Sequence, residues 1–168
     1  MDLLDHTSVV ESCELGAYSV VVDKSTSDAV SCADDVDCSL PYALITEQHL
    51  ETGRPVEIEP KEIPVHPLHV MAVHLALVAK PGAKWISLSY SSERYPFLGG
   101  PAAHVEEDGT AETGIPDPRL LWKVVDKHQI EAEQQEARSG LEVTHRPKVN
   151  HWVYVLERTS IPLFIRDD

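Results

Sequence analysis

Residues 18–28, Tyr-Ser-Val-Val-Val-Asp-Lys-Ser-Thr-Ser-Asp, constrain the fold more than any other stretch. Val20, Val21 and Val22 form an unbroken β-branched run rather than an alternation, the pattern of a parallel strand covered on both faces. Charge follows at once in Asp23 and Lys24, then Ser25 and Thr26. Open α/β sheets bind ligands at such places, where a parallel strand stops and its crossover begins.

The segments around this strand predict a crossover unit. Thr7 to Glu14 reads as a helical turn capped by Thr7 or Ser8, closed by Gly16. Ser27 has the chemistry of a cap for a short helix through Cys32. From about 33 to 64 the pattern dissolves among Pro41, Gly53, Pro55, Pro60 and Pro64, which predicts a flexible insertion. Pro67 suits a first helical position, and Leu68, Met71, Leu75 and Val78 recur at helical spacing until Lys80-Pro81-Gly82. Val70, Val73 and Leu77 are apolar as well, so most of that helix should be covered. Ala83 to Tyr90 then reads as a strand parallel to the first, since strand, helix, turn and strand make a right-handed crossover.

Beyond it, residues 99–117, rich in Gly, Pro, Ala and Glu, predict a second flexible insertion. Leu120 to Ile130 and His151 to Glu157 are strand-like, and the polar segment between them offers no apolar helical face. An antiparallel edge pair is the simpler topology.

Composition excludes several classes. The chain has 168 residues, 42% of them apolar, enough for one domain with a core. Acidic residues outnumber basic ones by 28 to 14, a formal charge of −14 that repels nucleic acid and anionic membranes. The longest apolar run, Val70 to Ala79, is about half of the ~20 residues a membrane span needs. Cys13, Cys32 and Cys38 form no Cys-x-x-Cys pair, which fits a reduced, cytoplasmic setting. His66, His69 and His74 are spaced by three and five, so only the first two share a helical face, and no acidic residue completes a metal set. A capping His66 and two helix-surface histidines are expected. Trp85, Trp122 and Trp152 are expected in the core. Hydrolase and dehydrogenase readings lack Gly-x-Ser-x-Gly and Gly-x-Gly-x-x-Gly.

The order of strand, Asp23-Lys24-Ser25-Thr26-Ser27-Asp28-Ala29, long acidic loop, His-Pro-Leu-His helix, Lys-Pro-Gly turn, Trp-Ile-Ser-Leu-Ser-Tyr strand and final antiparallel pair resembles the C-terminal half of class I S-adenosylmethionine-dependent methyltransferases. It is most similar to the branch containing the elongation-factor and citrate-synthase lysine methyltransferases, whose fourth strand typically ends in Asp-Lys-Gly-Thr-Leu-Asp-Ala. Asp23, Lys24, Thr26, Asp28 and Ala29 match that motif; Ser25 and Ser27 stand in place of its glycine and leucine.

The resemblance implies an α/β fold, a partial Rossmann-like methyltransferase sheet of parallel strands plus an antiparallel edge pair. It implies S-adenosylmethionine as cofactor and a protein lysine as acceptor. Asp2, in Met-Asp-Leu-Leu-Asp, would accept from the adenine amino group, with the Leu3 backbone beside the ring. Asp23 would act at the methionine end of the cofactor and the target amine, with Lys24 next to it. The competing expectations are a frayed terminus for Asp2 and a helix cap for Asp23.

The family's Asp/Glu-x-Gly-x-Gly loop has no counterpart here, because none of the eight glycines forms Gly-x-Gly. The expectation is a single incomplete domain over residues 1–168, a fragment whose first strand is an exposed edge in need of a partner. The alternative is a non-catalytic interaction module whose acidic loops dock a basic protein.

Overall fold

The computed structural model describes residues 1–37, 40–44, 64–99, 115–131 and 150–165. Among them the order is α1 (His6–Ser12), β1 (Tyr18–Lys24), α2 (Thr26–Val30), β2 (Val36–Asp37), β3 (Tyr42–Leu44), β4 (Pro64–Val65), α3 (Pro67–Val78), β5 (Ala79–Ser89), a 3₁₀ turn (Pro96–Leu98), α4 (Pro118–Leu121), β6 (Trp122–Glu131), β7 (Asn150–Arg158) and β8 (Leu163–Ile165).

The chain is α/β, built on a mixed four-stranded sheet in the order β1-β5-β7-β6. β1 and β5 are parallel, with Val21 opposite Trp85 and Asp23 opposite Ser87. β7 runs antiparallel to both β5 and β6. The crossover and the closing antiparallel pair are as the sequence predicts. Two small antiparallel pairs, β2 with β4 and β3 with β8, flank the sheet.

α3 has no polar face, and a helix that is apolar all round must be covered all round. It is: apart from His69, every residue from Pro67 to Val78 is buried. His66 accepts from the Leu68 amide at 3.2 Å, the expected cap. The helix stops at Val78 rather than Lys80, and the chain enters β5 directly. The Lys-Pro-Gly segment is nevertheless a local departure: Tyr18 pairs with Ala79 and Val20 with Lys84, so residues 80–83 bulge opposite Ser19, with Gly82 at φ 80°. A left-handed residue there is what glycine accommodates without a Cβ clash.

The core lies between α3 and one face of the sheet. Trp85 and Trp122 meet edge to face with ring centroids 5.5 Å apart, and Trp122 Nε1 donates to the Ala72 carbonyl at 2.8 Å. Trp152 packs against the rim of this core. It is only half-buried, with the Lys127 ammonium 4.5 Å from its ring centre.

The valine run is corrected more strongly. Val20 is 53% and Val22 74% exposed; only Val21 packs against the core. Among the described residues β1 is a sheet edge, and Val20 and Val22 lie exposed on the face opposite α3. That face also carries Ile86, opposite Val22 on one side and Val155 on the other, and Lys84, opposite Glu157. Glu157 is held between Lys84 and Lys123, whose hydrogen bonds pull its carboxyl down to about 2.

Several boundaries move. α1 runs from His6 to Ser12 and is capped by Asp5, whose carboxylate takes the Ser8 amide at 2.7 Å, not by Thr7 or Ser8. Leu120 and Leu121, expected to begin a strand, instead end α4, because Asp117 caps that helix and Pro118 takes its first position. Of the expected insertions, 45–63 and 100–114 lie outside the described residues, as do Cys38 and 132–149. Their described flanks are structured: β2 and β3 fall within 33–64 and β4 begins at its end, and Ile115 and Asp117 within 99–117 are buried. Among the described residues, no helix is long and apolar enough to cross a membrane.

The exposure of β1 gives a direct test. Leu156→Ala, at a position with 0% exposure, should cost roughly 2–5 kcal/mol in urea unfolding. Val22→Ala should stay within about 0.5 kcal/mol of the parent. A Val22 loss as large as that of Leu156 would show that β1 is covered on its outer face.

Candidate functional site at the carboxyl ends of the parallel strands

Strand alternation decides where Asp23 and Lys24 point. Asp23 shares the covered face with Val21, whereas Lys24 lies on the open face with Val20 and Val22 and is exposed. The two residues expected to work side by side therefore project to opposite sides of the sheet.

Asp23 is 5% exposed and lies within β1, not beyond a last buried valine as the sequence implies. Its Oδ1 accepts from the Thr26 amide at 2.7 Å, and both oxygens lie 3.3 Å from the Ser27 amide. Ser87 Oγ donates to Oδ2 at 2.9 Å. The carboxylate thus caps α2 from a distance and ties β1 to β5. Ser27, expected as the cap, is inside the helix and fully buried, its hydroxyl 3.1 Å from that of Ser87.

The helix is entered through Ser25, at φ 63° and ψ 11°, with no capping bond from its own side chain. Among the described residues it is the sole non-glycine at positive φ. An L-residue pays roughly 1–2 kcal/mol for that conformation. The position coincides with the glycine of the Asp-Lys-Gly-Thr-Leu-Asp-Ala motif.

One turn further on, Asp28 makes a second tie. It accepts from Ser89 Oγ at 2.5 Å and from the Tyr90 amide at 3.1 Å, and pairs with Arg94 at 2.6 Å. Arg94 also donates to the hydroxyls of Ser89 and Ser31. Tyr95 is stacked edge to face on Trp85 and Tyr154, with centroids at 5.0 and 5.1 Å. Its buried hydroxyl makes no hydrogen bond of ordinary geometry, although it lies next to Ser27 and Ser87; burial pushes its pKa upward.

A cleft of about 210 Å³ opens between the start of α3 and the segment after β5, lined by His66, His69, Ser31, Arg94 and Phe97. The His69 ring lies on Phe97 with centroids 4.3 Å apart. Burial, then the neighbouring His66, holds the His69 pKa below its ordinary value. Among the described residues no cluster of His, Cys, Asp and Glu could hold a metal ion.

Asp2 and Leu3 sit elsewhere, over the middle of α3. Asp2 is exposed, but its segment is not frayed: its amide donates to Ser8 Oγ and its Oδ1 accepts from the Leu4 amide, both at 2.8 Å. The Leu3 carbonyl meets His74 Nδ1 at 2.7 Å. His74, expected on the helix surface, is fully buried, because residues 1–5 and β3 cover that side of α3. Among the described residues, no hydrogen bond or ion pair joins Asp2 and Leu3 to Asp23 and Lys24.

The residues that sequence reasoning missed are Ser87, Ser89, Arg94 and the pairing of His74 with the N-terminus. A signal for the serines exists. Ser87 and Ser89 fall in phase with Trp85, so two small hydroxyls occupy covered positions of a strand, where a buried hydroxyl needs a partner.

No family model and no curated protein matches the chain. Among solved structures, one described under "Conversion of a Disulfide Bond into a Thioacetal Group during Echinomycin Biosynthesis" is similar over 95% of this chain and 55% of its own length, at 14% identity and a TM-score of 0.42. The chain therefore spans about half the length of that protein.

The strain at Ser25 is measurable. Ser25→Gly should raise unfolding free energy by roughly 0.5–1 kcal/mol, the relief of the left-handed serine less the added freedom of the unfolded chain. Ser25→Ala should gain nothing. Equal effects of the two substitutions in chemical denaturation would contradict the left-handed assignment.

Proposed function

We propose that the chain is the acceptor-side part of an S-adenosylmethionine-dependent methyltransferase acting on a protein lysine. The observation that carries this is local. The motif that resembles Asp-Lys-Gly-Thr-Leu-Asp-Ala lies at the carboxyl end of a parallel strand, its glycine position is left-handed, and both of its aspartates tie that strand to the next. A parallel pair followed by an antiparallel pair is also the arrangement the resemblance implies.

The residues present suit part of the cofactor. Asp23 would supply a fixed carboxylate at the methionine end, and Asp2 with the Leu3 backbone would hold the adenine. The backbone donors of a glycine loop have no counterpart in the sequence. When bound, S-adenosylmethionine supplies an electrophilic methyl group on a sulfonium. This chain's task is to orient the amine and exclude water, since in-line displacement gains most from proximity and desolvation. The cleft beside Arg94 and His69 gives an acceptor side chain an approach to the same end of the sheet.

A second reading is a non-catalytic interaction module. The exposed valines of β1 and the full commitment of the Asp23 oxygens to structural hydrogen bonds favour it.

Two measurements separate the readings. Residues 1–168 alone should bind S-adenosylmethionine weakly or not at all in calorimetry; micromolar affinity would show that the glycine loop is dispensable. In a polypeptide extended by an N-terminal half carrying that loop, Asp23→Asn retains an acceptor for the Thr26 amide while removing the charge. Methyl transfer should fall strongly with thermal stability close to the parent. Asp23→Ala should lose ~1–2 kcal/mol of stability as well. Turnover near the parent in folded Asp23→Asn would remove Asp23 from the chemistry and leave it as a cap.

A further inference from the structure

His74 is a buried titratable group that the proposed chemistry does not use. It sits at the middle of α3 with 0% exposure. Its Nδ1 faces the Leu3 carbonyl at 2.7 Å, and a carbonyl only accepts, so Nδ1 carries the proton. Nε2 then bears the lone pair, and it is buried with no hydrogen-bond partner among the described residues. The Tyr42 ring lies edge-on at 5.7 Å and the His6 ring at 6.4 Å, between centroids. His6 Nδ1 and the Tyr42 hydroxyl share a hydrogen bond of 2.6 Å.

Three separate elements thus converge on one imidazole: the leader at Leu3, α1 at His6 and β3 at Tyr42. The charged and titratable groups facing it are Asp2, Asp5, His6 and Tyr42. β8, paired with β3, contributes only Leu163, Phe164 and Ile165.

We infer that His74 is a positioning residue, a clasp that fixes residues 1–12 on α3 while its imidazole is neutral and lets them go when it takes up a proton. The neutral ring fills its site with one donor satisfied. A protonated ring must bury a second N–H that has no acceptor among the described residues, beside a second histidine; Asp2 and Asp5 favour the charge, but burial outweighs them. Opening of the leader brings water to Nε2 and relieves both. Burial already holds the His74 pKa below its ordinary value, the direction this requires.

The sign follows from linkage. The closed state resists a proton that the open state accepts at the ordinary value. The clasp is therefore at full strength above that value and weakens as pH falls below it. The clasp stands on its own geometry. Its consequence, that pH sets the placement of the adenine-side residues Asp2 and Leu3, rests on the methyltransferase reading.

Amide hydrogen exchange of the full chain, corrected for intrinsic rates, tests it. In the parent, residues 2–12 should be protected at pH 7.5. Their opening should increase below pH 6.5 by up to about tenfold per pH unit, the limit for uptake of one proton. His74→Asn keeps a donor near the Nδ1 position and cannot titrate; it should retain protection at neutral pH and lose the pH dependence. His74→Phe should open the leader at both pH values, with the β5 and β7 amides as the folding control. Should His74→Phe fail to fold, His74→Asn alone decides. Persistence of the pH dependence in His74→Asn, or unchanged leader protection in folded His74→Phe, overturns the proposal. Failure of S-adenosylmethionine to bind an extended chain would count against the methyltransferase reading and leave these exchange results intact.

Discussion

Two carboxylates, Asp23 and Asp28, hold the carboxyl end of the parallel strands together. Among the described residues β1 is bonded on one side only, so its carboxyl end would fray if nothing but the ladder held it. Asp23 reaches from β1 to Ser87, and Asp28 reaches from α2 to Ser89, Tyr90 and Arg94. The bonds that Asp23 accepts from the Ser27 amide and the Ser87 hydroxyl are buried, where a hydrogen bond is electrostatically stronger than in water. The same bonds satisfy the first amides of α2, a five-residue helix too short to be stable alone. Strand end, helix start and neighbouring strand form one unit.

The parts of the fold legible in the sequence were those whose signal is local and strong. The crossover could be read because Pro67 starts α3, its apolar positions encircle it, and Lys80-Pro81-Gly82 marks the change of course before β5. The polar link between β6 and β7 pointed to antiparallel pairing for a similar reason. Exposure could not be read in the same way. Three successive valines report that a strand is intrinsically favoured, but whether both faces are covered depends on neighbours, and β1 lacks one on its outer side. β2, β3, β4 and β8 are two or three residues long, below the length at which alternation can be recognised.

The site was legible at its anchor and obscure in its geometry. The motif Asp23 to Ala29 does lie at the end of a parallel strand, yet the sequence placed Asp23 and Lys24 together where the pleat separates them. Ser25 carried a signal only through the glycine it replaces; its left-handed backbone follows from the sharp entry from β1 into α2. His74 looked like a surface residue because its helical neighbours were counted, while its partners Leu3 and Tyr42 come from segments distant in sequence. Long-range partners are what periodicity does not contain.

The full hydrogen bonding of Asp23 bears on what the residue can do. A carboxylate that is to shuttle a proton needs an oxygen within reach of the substrate. Here two amides and a hydroxyl occupy both oxygens, and the nearby guanidinium of Arg94 is spent on Asp28 instead. Asp23 is therefore fixed in position by uncharged donors. A charge that needs no reorganisation is effective against a developing cation, provided the reacting centre comes close. In methyl transfer to an amine, positive charge moves from the sulfonium to the nitrogen and is never absent. Under the methyltransferase proposal, a static carboxylate at the strand end would orient that cationic path without accepting a proton. The structural cap shown by its hydrogen bonds is compatible with that proposed role, since it holds the side chain still.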